Sequence, residues 1–396
     1  MDALLIDELT GWRRHLHANP GLTLHEGPTA VFVAEKLRAL GVDVVEGVGG
    51  HGVVGTIRRA GGTGSNRAVG LRGDMDALPI QELNPLLPYR SIVPGVMHAC
   101  GHDGHTVALL GAAALLVADP DWSGTVHLVF QPAEEGGGGA RAMIAAGLFA
   151  RFPMERIFGW HNWPGLAAGT IAVHDSAVMA AGARFAISFE GHAGHAALPH
   201  LTRDPMLGAG HCIVALQSII ARNIDPLQAG VVSVTVAEAG EAQNQVSHRA
   251  RLKGTARWLT DATGTAIEQG MRRIAGGIAA AFGLEAEVEF RVGVPVTANH
   301  PAERELAAAA AGAVTELRRD LAPAMTGEDF SWFLKQVPGA FVWIGNGPGD
   351  GGASCTTRPM TSTMRSCRWR AATWPRWRSG RWRRGRGGAP VAPDLA

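Results

Sequence analysis

The sequence predicts an α/β fold in which a mostly parallel sheet is interrupted by an inserted α+β domain. Three observations support this prediction. Apolar, strand-like runs alternate with helical runs up to about Ala180, and polar residues stand at the ends of several strands. The pattern then changes to paired strands with two long helices, and it later returns to alternation. Alternating strands and helices are typical of a parallel sheet covered by helices on both faces.

The first part of the chain contains helices and short strands. The opening segment, MDALLIDELTGWRRHLHANP, has the spacing of an amphipathic helix and lacks the basic and apolar regions of a signal peptide. A second helix is predicted to end at Gly41, and two short strands separated by glycines follow it. A buried strand is predicted from Ala68 to Leu71, ending at Gly73. Next come the helix HTVALLGAAALLVA, a strand, loop and helix in GTVHLVFQPAEEGGGGARAMIAAG, and the strand RIFGWHNWP, which ends on a histidine.

Residues 180–292 are predicted to form the insertion, in the order strand, helix, strand, strand, helix, strand. This order fits a small α+β sandwich with an antiparallel sheet. The main domain then comprises residues 1–179 and 293–352, and the run AAAAAGA in its second part has helical propensity. Residues 353–396 form a tail rich in Arg and Trp, and its composition differs from that of both domains.

Composition and charge limit the class of protein. The chain has 396 residues, 46% of them hydrophobic, and a formal net charge of +1, which suits a globular protein of two domains. Near-neutral charge disfavours nucleic acid or an acidic membrane surface as the main partner. No apolar run reaches the ~18 residues needed to span a bilayer. The four cysteines show no disulfide-framework spacing, so we expect a reducing, cytoplasmic location.

The segment VMHACGHDGHT concentrates metal-binding side chains beside an apolar helix. It contains Cys100, Asp103 and three histidines, His98, His102 and His105. Buried thiols and imidazoles need polar partners. A single histidine beside a core is usually structural, but a cluster of histidines with a cysteine favours a metal site.

Four acidic residues and one histidine are predicted to follow strand ends, where ligands of such sheets bind. They are Asp74, Asp76, Glu134, Glu135 and His161. In the adjacent glutamates, one carboxylate can bind metal while the other acts as general base on a water molecule. One of the aspartates could bind metal or orient a ligating histidine. The alternatives are a solvated acidic loop for the glutamates, a cap or Asx-turn for the aspartates, and a core position for the histidine.

A thiolate, imidazoles and carboxylates together suit Zn, Mn, Co or Ni better than Ca or Mg. The sequence contains no HExxH helix, no GxSxG elbow and no Walker loop, which excludes the usual forms of a thermolysin-like, α/β-hydrolase or P-loop site.

The chain resembles the metal-dependent aminoacylase and carboxypeptidase amidohydrolases, above all the branch of hippurate hydrolase and the plant hydrolases of indole-acetyl amino acids. The resemblance covers roughly residues 10 to 347. Its motifs are RRHLHANPGLTLHEGPTA, LRGDMDALPI, MHACGHDGHT, QPAEEGGGGA, GHAGHAALPH, ALQSIIARNIDP, LKGTAR, GEDFSWFL and VPGAFVWIGNG. It implies a zinc-peptidase-like catalytic domain, with the insertion serving as a lid or dimerisation domain.

The resemblance also implies roles for individual residues. It makes Cys100, His102, Glu135 and His161 the ligands of two divalent metal ions. Glu134 becomes the general base, and Asp76 a supporting carboxylate. In the insertion, His195 resembles a histidine that reaches across a dimer to stabilise the oxyanion. Asn244 and Arg257 resemble the pair that binds the substrate carboxylate, whereas His98, Asp103 and His105 receive no firm role.

The C-terminal segment departs from the family pattern. The family has a metal-binding histidine in a segment like LHNPxYDFND, but this chain has SCTTRPMTSTM there and no histidine after His300. Legal codons for Ser354 to Met364, read in a shifted frame, give Leu-His-Asn-Pro-Ala-Tyr-Asp-Phe-Asn-Asp. We therefore predict a frameshift near residues 351–353. The alternative is a genuine basic, aromatic tail that binds nucleic acid.

These observations predict a metal-dependent amidohydrolase that cleaves the amide bond of a small N-acyl amino acid or a related amide. A homodimer or homotetramer is expected, with neither nucleic acid nor membrane as a partner. Because a metal-ligating histidine is missing, a catalytically impaired or dead homologue that keeps the fold is the alternative.

Overall fold

The structure, a computed structural model, describes residues 3–60 and 67–347. Within these ranges the strands form one large sheet, a separate smaller sheet and two short two-stranded ribbons. The two sheets have separate hydrophobic cores, which confirms the predicted α/β architecture with an additional antiparallel sheet domain.

The large sheet is mixed, with parallel strands at its centre. In spatial order its strands are β1 (Asp43–Glu46), β2 (Val53–Arg59), β4 (Gly124–Gln131), β3 (Ala68–Asp74), β5 (Arg156–Trp163), β16 (Gly339–Gly345), β6 (Thr170–Ala172) and β15 (Glu316–Arg318). Strands β4, β3, β5 and β16 run parallel to one another. At one edge β2 is antiparallel to both β1 and β4, and toward the other edge β6 is antiparallel to β16.

Helices cover both faces of this sheet. They are α1 (Ala3–Ala18), α2 (Gly27–Ala39), α3 (His102–Ala118), α4 (Gly139–Ala145), α5 (Leu148–Arg151), α8 (Pro301–Gly312) and α9 (Ser331–Leu334). Side chains of α2, α3 and α8 share one hydrophobic core, and side chains of α4, α5 and α9 share another. The predicted helix in the alanine-rich run is α8.

Helix α3 is buried along almost its whole length, because it lies between the sheet and helices α1 and α2. Its sequence is apolar on every side, as expected for an enclosed helix. The helix begins at His102, directly after Gly101, which has a φ of +85°. The Cys–His segment therefore turns sharply into the helix where the core begins.

The smaller sheet is antiparallel and has the order β10 (Gly230–Ala239), β12 (Arg249–Trp258), β8 (Ala181–Glu190), β13 (Glu285–Val294). Helices α6 (Pro205–Ser218) and α7 (Asp261–Phe282) pack against it. The side chain of Asp204 caps α6, and that of Thr260 caps α7, as expected for these residue types. The ribbons pair β9 (Gly194–His195) with β11 (Gln245–Val246) and β7 (Ala177–Met179) with β14 (Thr297–Ala298).

Two strands extend further than the sequence predicted. Strand β3 continues to Asp74, and β5 continues two residues beyond His161 to Trp163. The prediction that Asp74 and His161 follow strand ends is therefore wrong for both. The physical reason is that neighbouring strands continue the hydrogen-bond ladders: Asp74 pairs with Gln131, and Trp163 pairs with Gly345.

Across the described ranges, the helices lack the combination of length and apolar composition that a membrane-spanning segment requires.

Candidate metal centre

Strand β4 ends at Gln131 and leads into the glutamate pair. Between them, Ala133 has a φ of +52°, in the left-handed region that side chains rarely adopt. After this turn, the backbone N–H of Glu135 donates to Asp76 Oδ2 at 2.9 Å. Glu134 Oε1 accepts from the backbone N–H of Asp329 at 3.2 Å. The two adjacent glutamates are therefore fixed by different partners.

His161 lies near the end of β5 and is buried. Its Nδ1 is 2.6 Å from the carbonyl oxygen of Asn162, so this nitrogen is the donor and Nε2 is left as an acceptor or ligand. The ring contacts those of His102 and His105, with centroid distances of 6.0 and 4.8 Å.

The predicted ligands converge in two overlapping groups. One contains Cys100, His102 and His161, and the other contains His102, Glu134 and Glu135. Within each group, one donor atom per side chain lies within 4.8 Å of the others. Because His102 belongs to both groups, the five side chains surround one region of space.

His102 shows that this region suits a cation. Its Nδ1 lies 3.1 Å from Asp76 Oδ1, whereas its buried Nε2 has no hydrogen-bond partner. That nitrogen lies 3.8 Å from Glu135 Oε1 and 3.7 Å from Asp74 Oδ2. A buried nitrogen without a partner is costly, and a metal ion bound among these donors would satisfy it.

Asp76 holds the His102 ring in this orientation. Burial raises the pKa of Asp76, but the hydrogen bond and charge of His102, together with the hydrogen bonds from the Glu135 backbone and Thr23, lower it more, so its pKa is below the usual value. The other oxygen of Asp76, Oδ2, accepts from Thr23 Oγ1 at 2.8 Å and from the backbone of Glu135. The carboxylate of Asp76 thus connects His102 to the loop that carries Glu134 and Glu135, which we call the glutamate loop.

Glu134 also belongs to an acidic cluster that does not include His102. It consists of Glu134, Glu328 and Asp329, and it has a spacing that could hold a cation. The cation there is Arg72: its Nη2 lies 2.9 Å from Glu328 Oε1 and 3.2 Å from Asp329 Oδ1. Because the guanidinium already neutralises these carboxylates, a metal ion has little to gain at this position.

Asp74 belongs to the Arg72 network as well. Its Oδ2 lies 2.7 Å from Arg72 Nη1, and its Oδ1 lies 2.5 Å from His105 Nδ1. His105 Nε2 in turn accepts from the backbone N–H of Asn162 at 3.0 Å. Asp74 and His105 therefore have partners within the protein that compete with direct metal binding.

Arg72, Glu328 and Asp329 are absent from the set of residues predicted from the sequence to form the site. A usable signal was present for each. Arg72 is a charged residue inside the buried strand AVGLRGD, and the acidic pair in GEDFSWFL lies next to a run of apolar side chains. Buried charges are almost always paired, so the two segments could have been matched on this ground.

The other residues of the Cys–His segment face a second buried network. Asp103 Oδ2 lies 2.8 Å from Arg13 Nε and 2.8 Å from His17 Nδ1. His98 is buried, and both of its ring nitrogens lack hydrogen-bond partners; burial lowers its pKa to about 4, which keeps it neutral. The contacts of Asp103 with Arg13 and His17 connect the start of α3 to α1.

The predicted substrate-binding residues lie in the smaller domain. His195 and Asn244 are exposed and adjacent, since the backbone of Ala196 donates to the Asn244 carbonyl at 2.9 Å. Arg257 on β12 is half-buried, and a Cβ built on Gly327 would lie 3.1 Å from its Nη1. Arg257 therefore borders the segment that carries Glu328. Of the described residues, the groups with metal-binding spacing include none of these three.

The tail of residues 353–396 and the predicted frameshift near residues 351–353 lie outside the described residues.

The chain is similar to several known proteins. The model of peptidase family M20/M25/M40 matches residues 70–371. Hippurate hydrolase of Campylobacter jejuni is 40% identical over 337 residues, which cover 84% of this chain and 87% of that protein. The IAA-amino acid hydrolase ILR1-like 4 of Arabidopsis thaliana is 37% identical over 346 residues, covering 86% of this chain and 77% of that protein.

A solved structure shows the same likeness. The crystal structure of the Bacillus subtilis YXEP protein, a dinuclear metal binding peptidase from the M20 family, matches with a TM-score of 0.81 and 32% sequence identity. The match covers 94% of this chain and 98% of that chain.

Proposed function

The chain belongs to peptidase family M20/M25/M40, and from this membership we propose that it is a metal-dependent amidohydrolase acting on N-acyl amino acids or related small amides. Family membership confirms the resemblance to the hippurate hydrolase and indole-acetyl amino acid hydrolase branch. The observation that carries the proposal is the buried Nε2 of His102, which lacks a partner beside the Glu134–Glu135 pair.

The donor set fits two divalent ions, as in the dinuclear relative. Cys100, His102, Glu135 and His161 would hold them, and the mixture of thiolate, imidazole and carboxylate suits Zn, Mn, Co or Ni. Bound there, a divalent ion supplies Lewis acidity, which polarises a carbonyl group and makes water more acidic.

Glu134 is suited to manage the proton in this reaction. Burial raises the pKa of Glu134 well above its usual value, and the neighbouring acidic residues raise it further. Because Oε1 accepts from the Asp329 backbone, Oε2 is the oxygen that would take a proton from water. A carboxylate with a raised pKa can keep that proton and deliver it to the leaving nitrogen.

We propose that the smaller domain, residues 180–292, acts as a lid and dimerisation domain on a catalytic domain of residues 1–179 and 293–352. Asn244 and Arg257 would bind the substrate carboxylate, since a guanidinium pairs with a carboxylate through two parallel hydrogen bonds. Exposed His195 would stabilise the oxyanion in the site of a second copy, which requires a homodimer or homotetramer. The proposed location is the cytoplasm.

Metal dependence and substrate class are tested together on the full chain. Purified protein is loaded with Zn, Mn, Co or Ni and assayed on hippurate and a panel of N-acetyl amino acids. We expect hydrolysis that stops on chelation and is lost in Cys100→Ser. Cys212→Ser is the matched control, because Cys212 is buried in the core of the smaller domain. A metal-loaded chain that hydrolyses none of these amides would contradict the proposal and favour the inactive homologue.

The role of His195 across a dimer is tested by mixing two inactive variants, His195→Ala and Glu134→Gln. In a mixed dimer, the His195→Ala chain keeps Glu134 and receives His195 from its partner, so part of the activity should return. Activity that stays absent after subunit exchange, verified by native mass spectrometry of chains carrying tags of different mass, would place His195 outside the partner's site.

A further inference from the structure

One buried carboxylate holds two strained positions of the backbone. Among the described residues, Leu24 and Ala133 are the residues other than glycine with a positive φ, at +69° and +52°. Glu26 Oε1 accepts a hydrogen bond from both of their backbone N–H groups, at 2.8 Å from Leu24 and 2.9 Å from Ala133. Strained backbone persists where its surroundings over-determine it, and here the shared partner is Glu26.

Glu26 stands where a side chain could cap helix α2, but its carboxylate does not form such a cap. Glu26 is the N-cap of α2, a position from which a side-chain oxygen often accepts a hydrogen bond from the first turn of its own helix. Its side chain makes no such cap. The side chain is fully buried and directed instead to Ala133, 107 positions away along the chain. Its contribution is therefore to the glutamate loop.

The segment that carries Glu26 contacts this loop a second time. Thr23 Oγ1 donates to Asp76 Oδ2 at 2.8 Å, and the same oxygen accepts from the Glu135 backbone at 2.9 Å. A Cβ built on Gly137 would lie 2.8 Å from Thr23 Cγ2, so the loop and the segment are in close contact. The loop is thus held on both sides of the glutamate pair.

We propose that Glu26 is a positioning residue for the amide hydrolysis: by holding Ala133 in the left-handed conformation, it separates the directions of Glu134 and Glu135. Glu135 is then placed among the candidate metal ligands, and Glu134 is placed beside them to handle the proton. This inference rests on the proposed function for its kinetic test, and it has a second test that does not require turnover.

The first test compares Glu26→Ala with the wild type. Without the carboxylate, Ala133 is expected to relax to a negative φ, which rotates both glutamates. We expect kcat to fall about tenfold or more, with KM changed less than about twofold, and the affinity for Co²⁺ measured by titration to fall about tenfold. Glu303→Ala is the control, since Glu303 is also buried but pairs with Arg156 at 2.7 Å, away from the loop.

Glu26→Gln distinguishes the hydrogen bonds from the charge. Its amide oxygen can still accept from both N–H groups, so kcat and Co²⁺ affinity should remain near those of the wild type. Glu26→Asp keeps the charge but withdraws the acceptor by one methylene group, so it should behave like Glu26→Ala. This variant also carries the test if Glu26→Ala does not fold.

A rescue experiment separates positioning from general stabilisation. Glycine adopts a positive φ without strain, so Ala133→Gly should restore part of kcat and Co²⁺ affinity to Glu26→Ala. Leu24→Gly is the matched control, because it relieves strain at the other residue held by Glu26 Oε1, and Leu24 is 60% exposed. It should restore only thermal stability.

The outcomes distinguish this inference from the proposed function. If the wild type binds Co²⁺ but hydrolyses no amide, the proposed function fails, and the Co²⁺ affinities still decide the role of Glu26. If Glu26→Ala keeps the wild-type Co²⁺ affinity and kcat, Glu26 does not position the loop. Equal rescue by Leu24→Gly and Ala133→Gly would show that Glu26 acts through stability alone.

Discussion

Arg72 Nη2 lies 2.9 Å from Glu328 Oε1, and the two residues are separated by 256 positions in the chain. Both side chains are almost completely buried. The contact connects the central strand β3 to the segment before α9, and it supplies the positive charge for the acidic cluster around Glu134.

Replacing Arg72 with methionine should destabilise the protein strongly. The change leaves the buried carboxylates of Asp74, Glu328 and Asp329 without their cation. Removing one partner of a buried ion pair costs about 3–5 kcal/mol, and we expect a loss of this size in urea unfolding followed by circular dichroism. Arg58→Met is the control, because Arg58 and Asp43 form an exposed ion pair, which contributes about 0–1 kcal/mol. Similar losses for both variants would contradict the role of the buried network.

Asp76→Asn should weaken metal binding without removing a candidate ligand. Asn can accept from Thr23, but it does not favour the His102 tautomer that presents Nε2 as a lone pair. Partners of metal-binding histidines typically contribute about 10–100-fold in metal affinity. We expect a loss in this range, measured by competition with a chromogenic chelator. Asp320→Asn, at an exposed ion pair with Arg318, should leave the affinity unchanged.

Glu134→Gln and Glu135→Gln should have different effects. The first removes the proposed general base and should lower kcat about 100-fold or more, while metal content measured by mass spectrometry stays at the wild-type value. The second removes a proposed ligand and should lower metal content as well as activity. The assignment of the two roles is reversed if Glu134→Gln is the variant that loses metal.

Acid should destabilise the fold partly through His127. Burial lowers the pKa of His127 to about 4, below the usual value of 6.5. The unfolded chain therefore binds more protons between these values, so stability is present at neutral pH and is lost as the pH falls. From pH 7 to pH 5 this residue accounts for about 2 kcal/mol of the loss.

His127→Gln tests this contribution, because glutamine does not titrate and can still hydrogen-bond to Thr56, whose Oγ1 is 3.0 Å from His127 Nδ1. The free energy of unfolding of the variant should decrease less between pH 7 and pH 5 than that of the wild type. Parallel pH profiles for the two proteins would show that His127 does not contribute.

We propose that the tail of residues 353–396 is a frameshift product. Sequencing the gene across codons 351–353 should reveal the displaced base, and a frame-restored chain should bind metal more tightly and hydrolyse amides faster. A clean read in the present frame would defeat this proposal.

The sequence was most informative where chemistry is local. The strand and helix order of the smaller domain could be predicted, because apolar periodicity is a short-range signal. The prediction for the start of α3 was wrong by three residues: it was placed at His105, but the helix begins at His102, because its first turn is polar and follows Gly101 without a side-chain cap. His161 was assigned to a strand end because its sequence cannot show that β16 prolongs the hydrogen-bond ladder to Trp163.

The sequence did not show which residues contact each other over long distances in the chain. Arg72 with Glu328, and Glu26 with Ala133, are joined only by the packing of distant elements. No local pattern assigned a role to Glu26, and Ala133 lies in a segment predicted to be a loop. The positive φ of Ala133 depends on tertiary contacts that no local pattern encodes. The role of Glu26 at this position therefore could not be predicted from the sequence.

His102 belongs to three of the groups with metal-binding spacing: with Cys100 and His161, with Glu134 and Glu135, and with Asp74 and His105. Because the three groups share His102, a substitution of this residue affects all three. We expect exchange of His102 to disturb the proposed metal binding, the position of the proposed general base Glu134 and the buried contacts of Asp74 and His105 together. Among the described residues, Cys100 belongs to one such group and is partly exposed, so we expect a substitution at Cys100 to change the metal preference with less disturbance of the other groups than a substitution at His102.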